Sequence, residues 1–150
     1  MTYTSGQERT ESQRDVSYRT LRMDPELSRQ ESDYLNAPYD VLRLTLKEFT
    51  RSEDVSDLGR ELSDYLENSQ ANLALDFSEV ERFSPAAIGK LIRTDKRLKE
   101  SDRRALRLKK IMPEVAEVFY ITKLCNTFDI DEETEKRHQE HFEEQLRKCY

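Results

Sequence analysis

The pattern of apolar and polar positions divides this chain at about residue 37. Before that point Ser, Thr, Arg and Glu dominate and aliphatic residues are few. Such a stretch has too little apolar surface to offset the entropy lost on ordering it. Residues 1–36 are therefore predicted to be a disordered polar arm, with a weak alternation from Val16 to Met23 leaving room for a short edge strand. The Asn36-Ala37-Pro38 step marks the start of a domain over residues 37–150.

From there the pattern switches between two periods. Val41 to Leu46 alternates apolar and polar, which predicts a strand with one wet face. Val55, Leu58, Leu62, Tyr65 and Leu66 recur at helical spacing behind a cap at Ser52 or Asp54. Leu73 to Phe77 is short and mainly apolar, as a strand covered on both faces should be. Ser84-Pro85 supplies an N-cap and a proline for the first helical position. Ala87, Ile88, Leu91, Ile92 and Leu98 then form the stripe that this helix buries. Ala105 to Leu108 predicts another strand, and Pro113 opens a helix facing inward through Val115, Ala116, Val118, Phe119 and Thr122. A short strand at Thr127 to Ile130 precedes a charged helix from Asp131 or Glu132 almost to Tyr150. Strands alternating with helices point to an α/β layer, with helices packed on a mixed sheet.

Composition changes this picture little. The chain is 35% apolar and 37% charged, with aliphatic residues scarcest in the arm. The remainder is long enough for a modest core. A net charge of −6 argues against nucleic acid as the principal ligand, since a phosphate-backbone binder needs a basic face. The one basic stretch, Arg103, Arg104, Arg107, Lys109 and Lys110, is read as a solvated strand edge and helix surface. No apolar run approaches the ~20 residues of a membrane span. Met1 to Arg19 lacks the apolar centre of a signal peptide, so a cytoplasmic location without membrane insertion is expected. Cys125 and Cys149 fit a reducing compartment and define no disulfide framework.

Catalytic constellations are poor. Gly6, Gly59 and Gly89 are too far apart for a phosphate-cradling loop, and no Gly-x-Ser-x-Gly elbow occurs. Asp76, at the end of a buried strand, suits capping of the following turn better than general-base work. His138 and His141 share a helix face with Glu135 and Glu144 nearby, but no third ligand is fixed, so neither metal nor cofactor is expected. Phe142 and Leu146, four apart on the last helix, are expected to pack on the domain or on a second copy.

The run Asn72-Leu-Ala-Leu-Asp-Phe-Ser-Glu-Val-Glu-Arg-Phe-Ser-Pro-Ala-Ala-Ile-Gly-Lys-Leu91 resembles the central signature of the STAS domain, found in anti-sigma-factor antagonists and sulfate transporter tails. Met112-Pro113-Glu114-Val115-Ala116-Glu117-Val118-Phe119, continuing through Leu124 and Phe128, resembles a second segment of that family. The resemblance extends from about Asp40 to Asp131. It implies a STAS-like mixed β-sheet of four to five strands packed by about four helices. In phosphoregulated members, a hydroxyl at the start of the second helix is phosphorylated by a partner kinase. With Ile88-Gly89 fixing the register, Ser84 falls on that family's Asp, Pro85 on its first Ser, Ala86 on the phosphoacceptor and Ala87 on its Gly. Ala86 has no hydroxyl, so the usual switch is chemically excluded there. Ser84 reads as an N-cap, with a displaced phosphosite as the alternative.

The resemblance thus implies a non-enzymatic regulatory domain that binds protein partners through Phe83, Ser84, Pro85, Ala86, Ala87, Ile88, Lys90 and Leu91. The implied partner is an anti-sigma factor kinase or a related signalling protein, with a homo-oligomer left open. Acting without the switch, the domain would be a constitutive antagonist or a scaffold. The alternatives are an accessory subunit binding the ATPase of a membrane ABC transporter, and a module holding a small anion at the helix N-terminus.

Overall fold

The computed structural model describes residues 18–149, apart from the side chains of Tyr34 and Leu35. Seven strands alternate with five helices among the described residues. The strands are β1 (Leu21–Met23), β2 (Tyr39–Leu44), β3 (Glu48–Phe49), β4 (Asn72–Asp76), β5 (Arg82–Phe83), β6 (Arg107–Lys109) and β7 (Asp129–Ile130). The helices are α1 (Pro25–Leu35), α2 (Ser52–Glu67), α3 (Pro85–Glu100), α4 (Pro113–Ile121) and α5 (Glu132–Cys149). A five-stranded sheet runs β1-β2-β4-β6-β7, antiparallel between β1 and β2 and parallel elsewhere. β3 and β5 form a separate two-stranded parallel sheet. The mixed α/β architecture expected from the sequence is present.

The register sorts the side chains of the large sheet into two unlike faces, because neighbours along a strand point to opposite sides. Leu21, Leu42, Leu44, Leu73, Leu75, Leu108 and Ile130 share one face with the inner stripes of α2, α3 and α4. Arg22, Tyr39, Val41, Arg43, Ala74, Asp76, Arg107, Lys109 and Asp129 share the other. Only a small apolar cluster forms there, from Tyr39, Val41 and Ala74, with Leu27 of α1 against it.

The arm expected over residues 1–36 is therefore corrected in its second half. Residues 1–17 lie outside the described residues, but residues 18–36 build β1 and α1. α1 begins on a cap like that of α3, with Asp24 Oδ1 accepting from the Leu27 N–H at 3.1 Å and Pro25 following. Charge seats it on the polar face. Buried Glu31 pairs with Lys109 Nζ at 2.6 Å and with the Arg107 guanidinium, while Asp24 pairs with Arg43 at 2.9 Å. Arg107 and Lys109 are therefore half-buried ion-pair partners, and Arg103 donates to the Ser69 carbonyl at 2.9 Å, so these three are not a solvated edge, whereas Arg104 is exposed.

Smaller differences have local causes. The N-cap of α2 is Arg51, with no side-chain cap bond, instead of Ser52 or Asp54. Ile92 and Val118 are 41% and 37% exposed, since each lies off the centre of the stripe that its helix buries. Thr122 follows α4 as its C-cap and is exposed. On α5 only Thr134 is buried, and every residue from Phe142 to Cys149 is exposed.

Candidate partner-docking site

The two-stranded sheet positions the site. β3 and β5 lie side by side, and each leads almost directly into a helix, so α2 and α3 start next to one another. Aromatic packing holds the pair. Phe83 meets Phe49 edge-on at 5.6 Å and Phe77 at 5.1 Å between ring centroids. Backbone bonds fix the loop on either side: Glu81 N–H donates to the Lys47 carbonyl at 2.7 Å and Ser84 N–H to that of Phe49 at 3.1 Å.

Ser84 caps α3 in the manner its sequence predicts. Its backbone is extended, its Oγ accepts from the Ala87 N–H at 3.2 Å, and Pro85 takes the first helical position. Of the residues singled out from sequence, Phe83, Ala87, Ile88 and Leu91 are buried and support the surface from beneath. Pro85 and Ala86 are exposed, while Ser84 and Lys90 are half-buried. The outward surface is therefore Pro85 and Ala86, with Lys90 on its flank.

Beside them runs a groove of about 530 Å³ between the first turns of the two helices. Thr50, Ser52, Val55 and Ser56 line one wall, and Ala86, Gly89, Lys90 and Arg93 line the other. The Lys90 stem lies over Gly59 so closely that a Cβ there would sit 2.7 Å from Lys90 Cδ. Helix α2 thus lacks a side chain where Lys90 crosses it. Gly89 has the opposite surroundings, with nothing beyond its own stretch of helix within 4 Å of where its Cβ would stand. Thr50, Ser52, Ser56 and Arg93 were not legible as site residues. The two-residue strand that brings α2's first turn alongside α3 leaves no periodicity to read.

Other candidates resolve into structural roles. Asp76 Oδ1 accepts from the Ser78 N–H at 2.7 Å, capping the turn after β4, while its buried Oδ2 has no hydrogen-bond partner among the described residues. His138 stacks on Tyr120 with ring centroids 4.2 Å apart, and burial holds its pKa below the ordinary 6.5. Burial also pushes the Tyr120 hydroxyl up to about 12. Among the described residues no group of three or more His, Cys, Asp or Glu side chains is placed to hold a metal ion. Nor is any helix of the described residues long and apolar enough to cross a membrane.

Comparison with known proteins bears on this arrangement. A crystal structure at 1.59 Å of a Thermotoga maritima protein, provisionally assigned as an anti-sigma factor antagonist, matches with a TM-score of 0.53. The two are 20% identical over 66% of this chain and 86% of that one, a likeness that speaks to the fold. No curated protein matches the chain. The family model of the STAS domain matches residues 41–141, from β2 into α5, taking in the Ser84-Pro85 loop and the groove beside it. On that match this chain belongs to the STAS domain family.

Proposed function

We propose that the chain is a regulatory protein-interaction domain that docks its partner through the exposed start of α3, without a phosphorylation switch at Ala86. The exposure of Ala86 carries this reading. A methyl group stands on the surface at the position where the family resemblance puts the phosphoacceptor. The nearest hydroxyl in sequence, that of Ser84, is engaged as the helix cap at 3.2 Å from the Ala87 nitrogen. A surface without a reversible charge is suited to constitutive contact, as in an unswitched antagonist or a scaffold subunit. The partner we propose is an anti-sigma factor kinase or a related signalling protein.

Because Ala86 is exposed, a large side chain there should leave the fold intact. Ala86→Trp is expected to melt within a few degrees of wild type and to bind the partner at least tenfold more weakly. Unchanged affinity would move the docking surface elsewhere. Ala86→Ser combined with Ala87→Gly restores the family's hydroxyl-glycine pair. It should take up phosphate from the partner kinase, whereas the wild-type chain takes up none at this loop. Phosphate on Ser84 of the wild-type chain would refute the unswitched reading.

A further inference from the structure

We infer that the groove between the first turns of α2 and α3 receives an acidic segment of the protein partner, whose carboxylates lie near Lys90 and Arg93. The inference rests on the docking reading above and adds the chemistry of what docks. The groove's lining carries two cations, Lys90 and Arg93, and three hydroxyls, those of Thr50, Ser52 and Ser56, but no acid. In a chain of net charge −6 that lining is not an average sample of the surface.

The way the acids of α2 are bound explains the imbalance. Arg19 holds Asp54 at 2.5 Å and Asp57 at 2.8 Å, and Arg60 holds Asp57 at 2.9 Å. Glu61 accepts from the Thr20 hydroxyl at 2.7 Å, and Asp64 from the Tyr18 hydroxyl at 2.6 Å. The segment leading into β1 thus takes up four of α2's carboxylates, and Arg51 pairs with Glu53 in its first turn. On α3, Asp95 is buried and serves Lys99 at 2.8 Å and the Leu106 N–H at 2.9 Å. Lys90, Arg93 and Lys96 form no ion pair among the described residues. Like charges three residues apart on a helix repel, and an acid laid between Lys90 and Arg93 relieves that repulsion. The hydroxyls can donate to the same carboxylates, and such charge-assisted bonds are the stronger kind. Gly89, with open space before it, lets the incoming backbone approach closely. A volume of about 530 Å³ accommodates a few side chains, which points to a short segment instead of a whole domain face.

A fluorescein-labelled octaglutamate peptide, read by anisotropy at low salt against the full chain, tests the chemistry. Lys90→Glu with Arg93→Glu is expected to weaken binding at least tenfold, and Lys90→Gln with Arg93→Gln severalfold. Arg29→Glu with Lys136→Glu, the same change of charge at two exposed sites on α1 and α5, should have less than twofold effect. Equal loss in the control pair, no binding at all, or tighter binding of a single-stranded oligonucleotide of equal length would overturn the inference. A photo-crosslinking residue at Ala86, used in the native cell, separates this inference from the docking reading. Capture of a segment rich in Asp and Glu, abolished by the Lys90 and Arg93 reversal, supports both. Capture of a segment without acids, unaffected by the reversal, overturns the acidic chemistry and leaves the docking reading standing. Failure to capture any partner while octaglutamate still binds the groove overturns the docking reading and, with it, the assignment of the groove's occupant to a partner.

Discussion

Gly89 occupies the second turn of α3, where a glycine costs about 1 kcal/mol relative to alanine and where a methyl group would meet nothing. No contact within the described fold requires it. Gly89→Ala is therefore expected to stabilise the chain by about 1 kcal/mol in denaturant unfolding, and to weaken partner binding through the groove it lines. Ser84→Ala works in the other direction, losing about 1 kcal/mol with the cap it removes. That cap was legible because Ser84-Pro85 is a local signature whose geometry needs no distant partner. Ile92 was not, because helical periodicity finds a stripe without giving its width. Ile92 neighbours Ile88 and Leu91 in sequence, yet faces water beside Arg93.

At the scale of elements, α1 is the instructive failure. Its sequence, PELSRQESDYL, has few aliphatic residues and no stripe for a hydrophobic pattern to find. Its seat on the sheet is made by Glu31, which meets side chains 76 and 78 residues away in sequence, on Arg107 and Lys109. No window of local sequence contains both partners. Removing a buried acid strands the cations it neutralised, so Glu31→Ala should cost about 3 kcal/mol and loosen α1 before the rest of the domain. Hydrogen exchange would report this as lost protection confined first to residues 25–35. Equal loss of protection across β4 and α3 would show that α1 and the core open as one unit. The β3–β5 pair escaped prediction for a different reason, each strand being two residues long. The longer strands and α2 through α4 were legible because each carries a full period of apolar positions, and α5 because its run of charged residues follows a short strand.

For the molecule as a whole, the docking of α5 should depend on pH. Burial disfavours the charged form of His138, so its folded pKa lies below the 6.5 of the unfolded chain. Between those values the unfolded chain binds more protons than the folded one, so stability rises with pH. The contribution is complete above 6.5 and is lost as the pH falls below it. Melting temperature should therefore decline from pH 7.5 to 5.5, and His138→Gln should flatten that decline. The sequence placed His138 on a charged helix but could not show its stacking on Tyr120, which depends on how α5 lies along α4.

The antiparallel pairing of β1 with β2 has one more consequence. Adjacent antiparallel strands can be joined by a two-residue turn, yet here α1 and its flanks, Asp24 to Pro38, make the connection. The helix is in effect a plug hung between two strands that do not need it to meet. A chain carrying Asn-Gly in place of residues 25–37 would keep the five-stranded order while baring Arg43, Arg107 and Lys109 on one plane with Arg22, which is already exposed. Asp24, which stays paired with Arg43, and Asp76 and Asp129 offset those four cations only in part. An acidic partner would then meet two attractive surfaces on opposite sides of the domain. By covering one of them, α1 gives the molecule a front and a back.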